Sequence, residues 1–261
     1  MLELKGIDFR YNNPESSFEL SNINLEIFPG EFVTILGPNG SGKSTLLNLI
    51  SGEFRALKGE ILLNNKSYLE YKRKDIAKRI SFVPQKYYSV YPFSIYEIVA
   101  MGRTPYLNFL GFEKEEDIIK INEALQLVGI EHLKNYSINS VSGGEAQRAF
   151  IARAIVQDPE LMLLDEPNAH LDLEHQISIF NLLKSLNQEK KLTILMVSHD
   201  INLAANYSKR MILMKQGRIY LDAENSKVLT TENIQKVFNV DAKVYTYGKN
   251  INVALFPNNN G

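Results

Sequence analysis

The segment Gly37-Pro38-Asn39-Gly40-Ser41-Gly42-Lys43-Ser44 fits the pattern G-x-x-x-x-G-K-[ST]. Glycines let the backbone curl until successive N–H groups point inward, a geometry that holds phosphate oxygens. Lys43 supplies a cation able to reach β- and γ-phosphates, and the Ser44 hydroxyl is a ligand type for Mg²⁺. A helix starting near Lys43 adds the partial positive charge of its N-terminus. The loop stands between the apolar run Phe32–Leu36 and the apolar stretch Leu46–Ile50, a strand–loop–helix setting.

A second chemical feature is the adjacent pair Asp165-Glu166, which follows the apolar run Leu161–Leu164. At a strand tip Asp165 can hold Mg²⁺, directly or through water. Glu166 points elsewhere and can orient an attacking water as a general base. The other reading is an ordinary strand-end turn with solvated acids. Two further runs end the same way: Ile80–Val83 leads into Pro84-Gln85, and Thr193–Val197 into Ser198-His199-Asp200. In an open parallel sheet, ligands bind beyond the carboxyl ends of the strands. The four segments are therefore expected to converge on one edge of one sheet.

The elements that must position these residues are visible in the periodicity. Short continuous apolar runs suit strands buried on both faces, as in a parallel sheet covered by helices; a buried helix segment is the other reading of each run alone, disfavoured by flanking turn residues and β-branched content. The N-terminal part reads as strands, with Leu2–Tyr11 roughly alternating and Ile23–Phe28 following, before the turn dipeptide Pro29-Gly30. Ile118, Ile121, Leu125 and Val128 form a helical stripe, and Gly129 is a C-cap candidate. Gly144–Gln157 and Glu174–Gln188 are further predicted helices, the first ending at Asp158-Pro159.

Composition narrows the classes. The 261 residues suffice for one large α/β domain or two small ones, and the net charge of −1 lacks the basic excess of a non-specific nucleic-acid binder. The chain has no cysteine, which removes disulfides, thiolate metal sites and cysteine nucleophiles. MLELKGIDFRYNN carries charges throughout and lacks the apolar core of a signal peptide. No stretch approaches the ~18 uncharged apolar residues of a membrane-spanning helix, so a membrane role is expected to come through a partner. The terminal Asn258-Asn259-Asn260-Gly261 reads as a frayed tail. His132, His170 and His175 read as surface or capping histidines.

At Val141-Ser142-Gly143-Gly144-Glu145-Ala146-Gln147-Arg148 the sequence resembles the signature motif of ABC ATPases, LSGGxxQR. The family's other elements follow in order. Tyr11 resembles the aromatic residue that stacks on adenine, although a strand aromatic packed on the core is the other reading. Gln85 matches the Q-loop glutamine, Leu161–Glu166 the strand ending in the catalytic glutamate, Asn168–Asp172 the D-loop, and His199 the switch histidine. The resemblance covers about residues 2 to 255. Val141 and Asn168 depart from the usual leucine and threonine, and neither removes a catalytic group.

The resemblance implies an α/β fold of the P-loop NTPase class. It has a parallel-sheet core, an N-terminal antiparallel β subdomain and a helical subdomain insert. One ABC ATPase domain would span 1–261, with 1–85 and 160–261 as nucleotide-binding core and about 86–159 as helical subdomain. ATP and Mg²⁺ are the implied ligands. Gly37, Pro38, Asn39, Gly40, Ser41, Gly42, Lys43, Ser44 and Thr45 would hold phosphate, and Ser44, Gln85 and Asp165 would hold the metal. Glu166, His199, Gln85 and Lys43 would act in hydrolysis. A second copy would pack head to tail, its Ser142, Gly143 and Gly144 facing the γ-phosphate.

The implied partners are polytopic permease subunits and, indirectly, a substrate-binding protein, with the chain peripheral on the cytoplasmic face of the inner membrane. No nucleic acid is expected. Tyr87, Tyr88, Tyr91, Pro92, Phe93 and Met101–Tyr106 suit a docking surface for the permease, with internal packing as the alternative. MGRTPY, HLDLEHQ, SHDINLAANY and VLTTENIQKVFNV resemble importers of iron–siderophore, haem and cobalamin. A molybdate importer, a non-transport ABC ATPase acting on nucleic acid or protein assembly, and a regulatory ATP-dependent dimer stay open.

Overall fold

The computed structural model describes residues 1–12, 18–85, 91–107, 112–169, 171–248 and 250–256. Tyr87, Tyr88, His170 and the Asn258–Gly261 tail lie outside the described residues. The strands are β1 (Leu2–Arg10), β2 (Glu19–Ile27), β3 (Phe32–Leu36), β4 (Lys58–Leu63), β5 (Lys66–Ser67), β6 (Ile80–Val83), β7 (Leu161–Asp165), β8 (Thr193–Val197), β9 (Arg210–Lys215), β10 (Arg218–Glu224), β11 (Asp241–Tyr247) and β12 (Asn250–Phe256). The helices are α1 (Lys43–Ile50), α2 (Arg73–Ala77), α3 (Ile95–Ala100), α4 (Glu115–Leu127), α5 (Gly143–Val156), α6 (Leu173–Lys190), α7 (Ile201–Tyr207), α8 (Asn225–Val228) and α9 (Thr231–Phe238). The predicted helices are present with ends shifted by one to three residues, because helix ends are set by caps rather than by the apolar stripe. The chain divides into two compact units, Met1–Glu70 with Ile194–Gly261, and Tyr71–Thr193.

In the first unit β1 pairs antiparallel with both β2 and β4. The buried positions of β1 are Leu2, Leu4, Ile7 and Phe9. Their parity changes at a register irregularity between Leu4 and Ile7, which explains the imperfect alternation of the sequence. A second sheet in this unit has β3 parallel to both β8 and β9, with β10 antiparallel on β9. Every residue of β3 and β8 is buried. Helices α7 and α9 and the β11–β12 hairpin close over Leu36, Met211 and Leu213, burying Ile201, Ile234, Val237 and Val253. Each such aliphatic side chain contributes roughly 1.5–3 kcal/mol by leaving water.

In the second unit β6 and β7 form a parallel pair, α5 packs against β6, and α3 and α4 pack against α5. The buried seam of α4 is Ile121, Ala124, Leu125 and Val128. Ile118 is not part of it and is 41% exposed. One turn before Ile121, the seam position belongs to Asp117, which is buried against Arg103 at 2.7 Å. An acid in an apolar stripe is tolerated only when paired, so periodicity found the face through Ile121, Leu125 and Val128 but misplaced Ile118 on it.

Arg103 lies in the 3₁₀ turn Met101–Tyr106. Its guanidinium also donates to the carbonyl of Val156 at 2.9 Å and stacks on the Tyr106 ring, 3.8 Å from the ring centroid. The Tyr106 hydroxyl donates to the carbonyl of Gln157 at 2.9 Å. For Arg103 and Tyr106, therefore, internal packing replaces the docking surface read from MGRTPY. Tyr91 and Met101 remain exposed at 67% and 39%.

Burial pushes the Asp117 carboxyl up, but the Lys114 backbone N–H and the Arg103 guanidinium outweigh it and hold the pKa below the usual value. A depressed carboxyl pKa contributes stability above the unfolded value of about 3.9, and that contribution is lost as pH falls through the folded value. Arg103→Met leaves Asp117 buried without its cation and is expected to destabilise the fold by about 3–5 kcal/mol in a denaturant titration. A double variant, Arg103→Met with Asp117→Leu, is expected to recover most of that loss. A loss below about 1 kcal/mol for the single change would remove the ion pair from a structural role.

Candidate functional site

The phosphate loop joins β3 to α1 within the first unit. Gly37 approaches so closely that a Cβ there would lie 2.3 Å from the Met214 carbonyl oxygen. Gly42, at φ +102°, is the N-cap of α1 and adopts a backbone conformation that L side chains rarely reach. A Pro38–Ser41 turn, closed by Ser41 N–H donating to the Pro38 carbonyl at 3.2 Å, presents exposed Asn39 and Gly40. Lys43 is 5% exposed, and its ammonium donates to the carbonyls of Gly37 and Pro38 at 2.8 and 3.0 Å. It thus folds back over the loop whose N–H groups would hold phosphate. Ser41 Oγ is buried without a hydrogen-bond partner among the described residues, which suits an incoming oxyanion.

Tyr11 follows β1. Its hydroxyl lies 2.8 Å from Thr45 Oγ1, and its ring stands edge-on to Phe9 and Phe54 at 5.1 and 5.6 Å. Core contacts therefore orient the ring, while the residue remains 37% exposed.

His199 is placed by register. Ile35 is opposite Val197 across the β3–β8 pair, so Gly37 and His199 each emerge two residues beyond paired positions at the same end of parallel strands. Ser198 and Asp200 fix the turn between them. Asp200 N–H donates to Ser198 Oγ at 3.1 Å, and Asp200 caps α7 by accepting from Leu203 N–H at 2.8 Å. His199 itself is exposed.

The second unit repeats this arrangement. Val83 is opposite Leu164 in the parallel β6–β7 pair, and Gln85 and Glu166 each lie two residues further on. The Gln85 amide donates to a Glu166 carboxylate oxygen. Asp165 and Glu166 are 6% and 7% exposed. Glu166 has φ +50°, uncommon for a residue with a Cβ. This kink turns the chain at the strand end, and the Ala169 N–H then donates to the Glu166 carbonyl at 3.1 Å. A strained backbone of this kind costs on the order of 1–3 kcal/mol and is kept where the surroundings enforce it. The donor types assigned to the metal, a hydroxyl on Ser44, an amide oxygen on Gln85 and a carboxylate on Asp165, are hard oxygen ligands that fit Mg²⁺. Mg²⁺ bound with nucleotide would supply charge neutralisation to the phosphates.

The signature segment opens α5. Ser142 is the N-cap, its side chain accepting from Glu145 N–H at 3.3 Å, and the Glu145 carboxylate accepts from Ser142 N–H at 2.8 Å. Ser142 and Gly143 are exposed and Gly144 is buried. Arg148 ties the helix to its neighbours, donating to the Val128 carbonyl and to Ser178 Oγ, each at 2.8 Å. The sequence reading gave neither Glu145 nor Arg148 a role. The S-x-x-E spacing was the available signal for Glu145, whereas the Arg148 partners are remote in sequence.

Residues 20–169 match the family model for the ABC transporter. The chain is 39% identical over 227 residues to the iron(3+)-hydroxamate import ATP-binding protein FhuC of Bacillus subtilis, covering 87% of this chain and 84% of that one. A solved structure described as an inward-facing conformation of a metal-chelate type ABC transporter superimposes with a TM-score of 0.84 at 30% identity, covering 98% and 96% of the two chains. The dimeric structure of MJ0796, a bacterial ABC transporter cassette, gives 0.77 at 33% identity over 86% and 99%. With the phosphate loop, the signature helix and the Gln85–Glu166 pair in place, this chain belongs to the ABC transporter family, as one of its ATP-hydrolysing, ATP-binding proteins.

Proposed function

We propose that the chain drives import of a metal chelate, of the iron–siderophore, haem or cobalamin class, through separate membrane subunits. The observation that carries this reading is its similarity along most of its length to an iron(3+)-hydroxamate import ATP-binding protein. MGRTPY, HLDLEHQ and SHDINLAANY point the same way. Among the described residues no helix is long and apolar enough to cross a membrane, so partner proteins supply the path. The chain works at the cytoplasmic face, with a binding protein delivering the chelate to the permease.

In this reading two copies close head to tail on ATP. Lys43 and the loop N–H groups hold the β- and γ-phosphates, and Tyr11 stacks on adenine. Ser44, Asp165 and Gln85 would hold Mg²⁺. Glu166 positions the attacking water and His199 stabilises the transferring phosphoryl group. Ser142 and Gly144 of the second copy complete the γ-phosphate site, because a capped helix start is an anion cradle. Hydrolysis is mostly positioning and charge stabilisation, which suits a set of preorganised donors. The dimeric relative supports the pairing.

The test is uptake of labelled ferric siderophores, haem and cobalamin in a strain lacking this chain and any redundant system. Uptake of one class is expected to be lost, restored by the wild-type chain and not restored by Glu166→Gln. Unchanged uptake of all three would refute the chelate assignment.

A further inference from the structure

The start of α5 contains a conflict of charge. Ser142 Oγ has a single proton, and it is donated to Glu145 Oε2 at 2.8 Å. The same carboxylate oxygen accepts Ser142 N–H at 2.8 Å. Both donors lie where the helix start is open to a partner: Ser142 and Gly143 are exposed, and a Cβ built on Gly143 meets nothing within 4 Å. The hydrogen bonds from Ser142, backbone first and hydroxyl second, hold the Glu145 carboxyl below its ordinary pKa, so it is an anion at neutral pH. His132 and His175 also act on this carboxyl electrostatically, and the His175 ring is itself held by Asp172, Nδ1 to Oδ1 at 2.7 Å.

The geometry points to Glu145 as a brake on the signature cradle: its carboxylate competes with the terminal phosphate of ATP on a second copy for the Ser142 hydroxyl. The inference rests on the head-to-tail dimer proposed above. For the phosphate to take the Ser142 proton, Glu145 must give up one of its two hydrogen bonds and remain beside a like charge. Closure then depends on enough ATP to overcome that repulsion. Glu145 is in this sense a positioning residue that sets the ATP concentration at which the dimer closes.

Glu145→Gln separates the charge from the cap, because a glutamine oxygen still accepts Ser142 N–H in a capping box. The measurement is ATP-dependent dimerisation by light scattering, with Glu166→Gln as parent and the double variant Glu145→Gln, Glu166→Gln beside it. The double variant is expected to dimerise at about three- to fivefold lower ATP, the range of an exposed charge interaction. The advantage is expected to shrink at about 1 M salt, where the screening length is roughly 3 Å. A purely structural cap predicts neither the gain nor its salt dependence. A dimer in the parent with no gain in the double variant overturns the inference alone. Absence of a dimer in the parent at any ATP concentration overturns the composite site and the inference with it.

Discussion

Glu166→Gln is expected to leave ATP bound and to stop its hydrolysis. Loss of a general base typically lowers turnover by about 10²–10⁴-fold. In the proposed mechanism affinity resides elsewhere, in the Gly37–Ser44 loop and Lys43, and is expected to change less than about threefold. The substitution is conservative for the fold. Glu166 sits at φ +50°, a conformation glutamine tolerates as poorly or as well as glutamate, and an amide can still meet the Gln85 side chain. The variant is therefore expected to accumulate as an ATP-bound dimer. Phosphate release and equilibrium ATP binding on the same preparation check both halves. Turnover within about threefold of wild type would take Glu166 out of the catalytic role.

Lys43→Ala is expected to act one step earlier, on binding. It removes the charge-assisted contact to phosphate proposed for this side chain, and one such preorganised donor contributes about 3 kcal/mol or more, roughly a hundredfold in affinity. A second effect comes from the loop itself. Lys43 Nζ donates to the carbonyls of Gly37 and Pro38, and withdrawing a partner from buried polar groups costs about 1–3 kcal/mol each where water does not replace it. The melting temperature is therefore expected to fall by a few degrees alongside the loss of affinity. Calorimetry with ATP and a thermal melt read the two effects separately. Unchanged ATP affinity would remove the phosphate-loop assignment.

Much of the chemistry was legible without a structure because it is local. The phosphate loop is one contiguous segment in which glycines free the backbone N–H groups while the lysine ammonium and serine hydroxyl lie within the same few residues, so spacing alone specifies it. The strand ends were equally legible: Leu161–Leu164, Ile80–Val83 and Thr193–Val197 are continuous apolar runs, and the polar residue after each must fall at a strand tip. The signature segment declared both a helix start and a family.

What only the tertiary structure decided are relations between residues far apart in the chain. The register Val83 to Leu164 brings Gln85 to Glu166, and Ile35 to Val197 brings Gly37 and His199 to one strand end. No periodicity within either strand specifies that alignment, since register follows from packing against covering helices. The same holds for the reversals. Asp117 took the seam place that apolar periodicity assigned to Ile118, because Arg103 from the Met101–Tyr106 turn neutralises it, and the same side chain packs inside rather than on a docking surface. A local pattern reports what a segment would bury by itself, whereas burial of a charge depends on a partner that only the folded chain supplies.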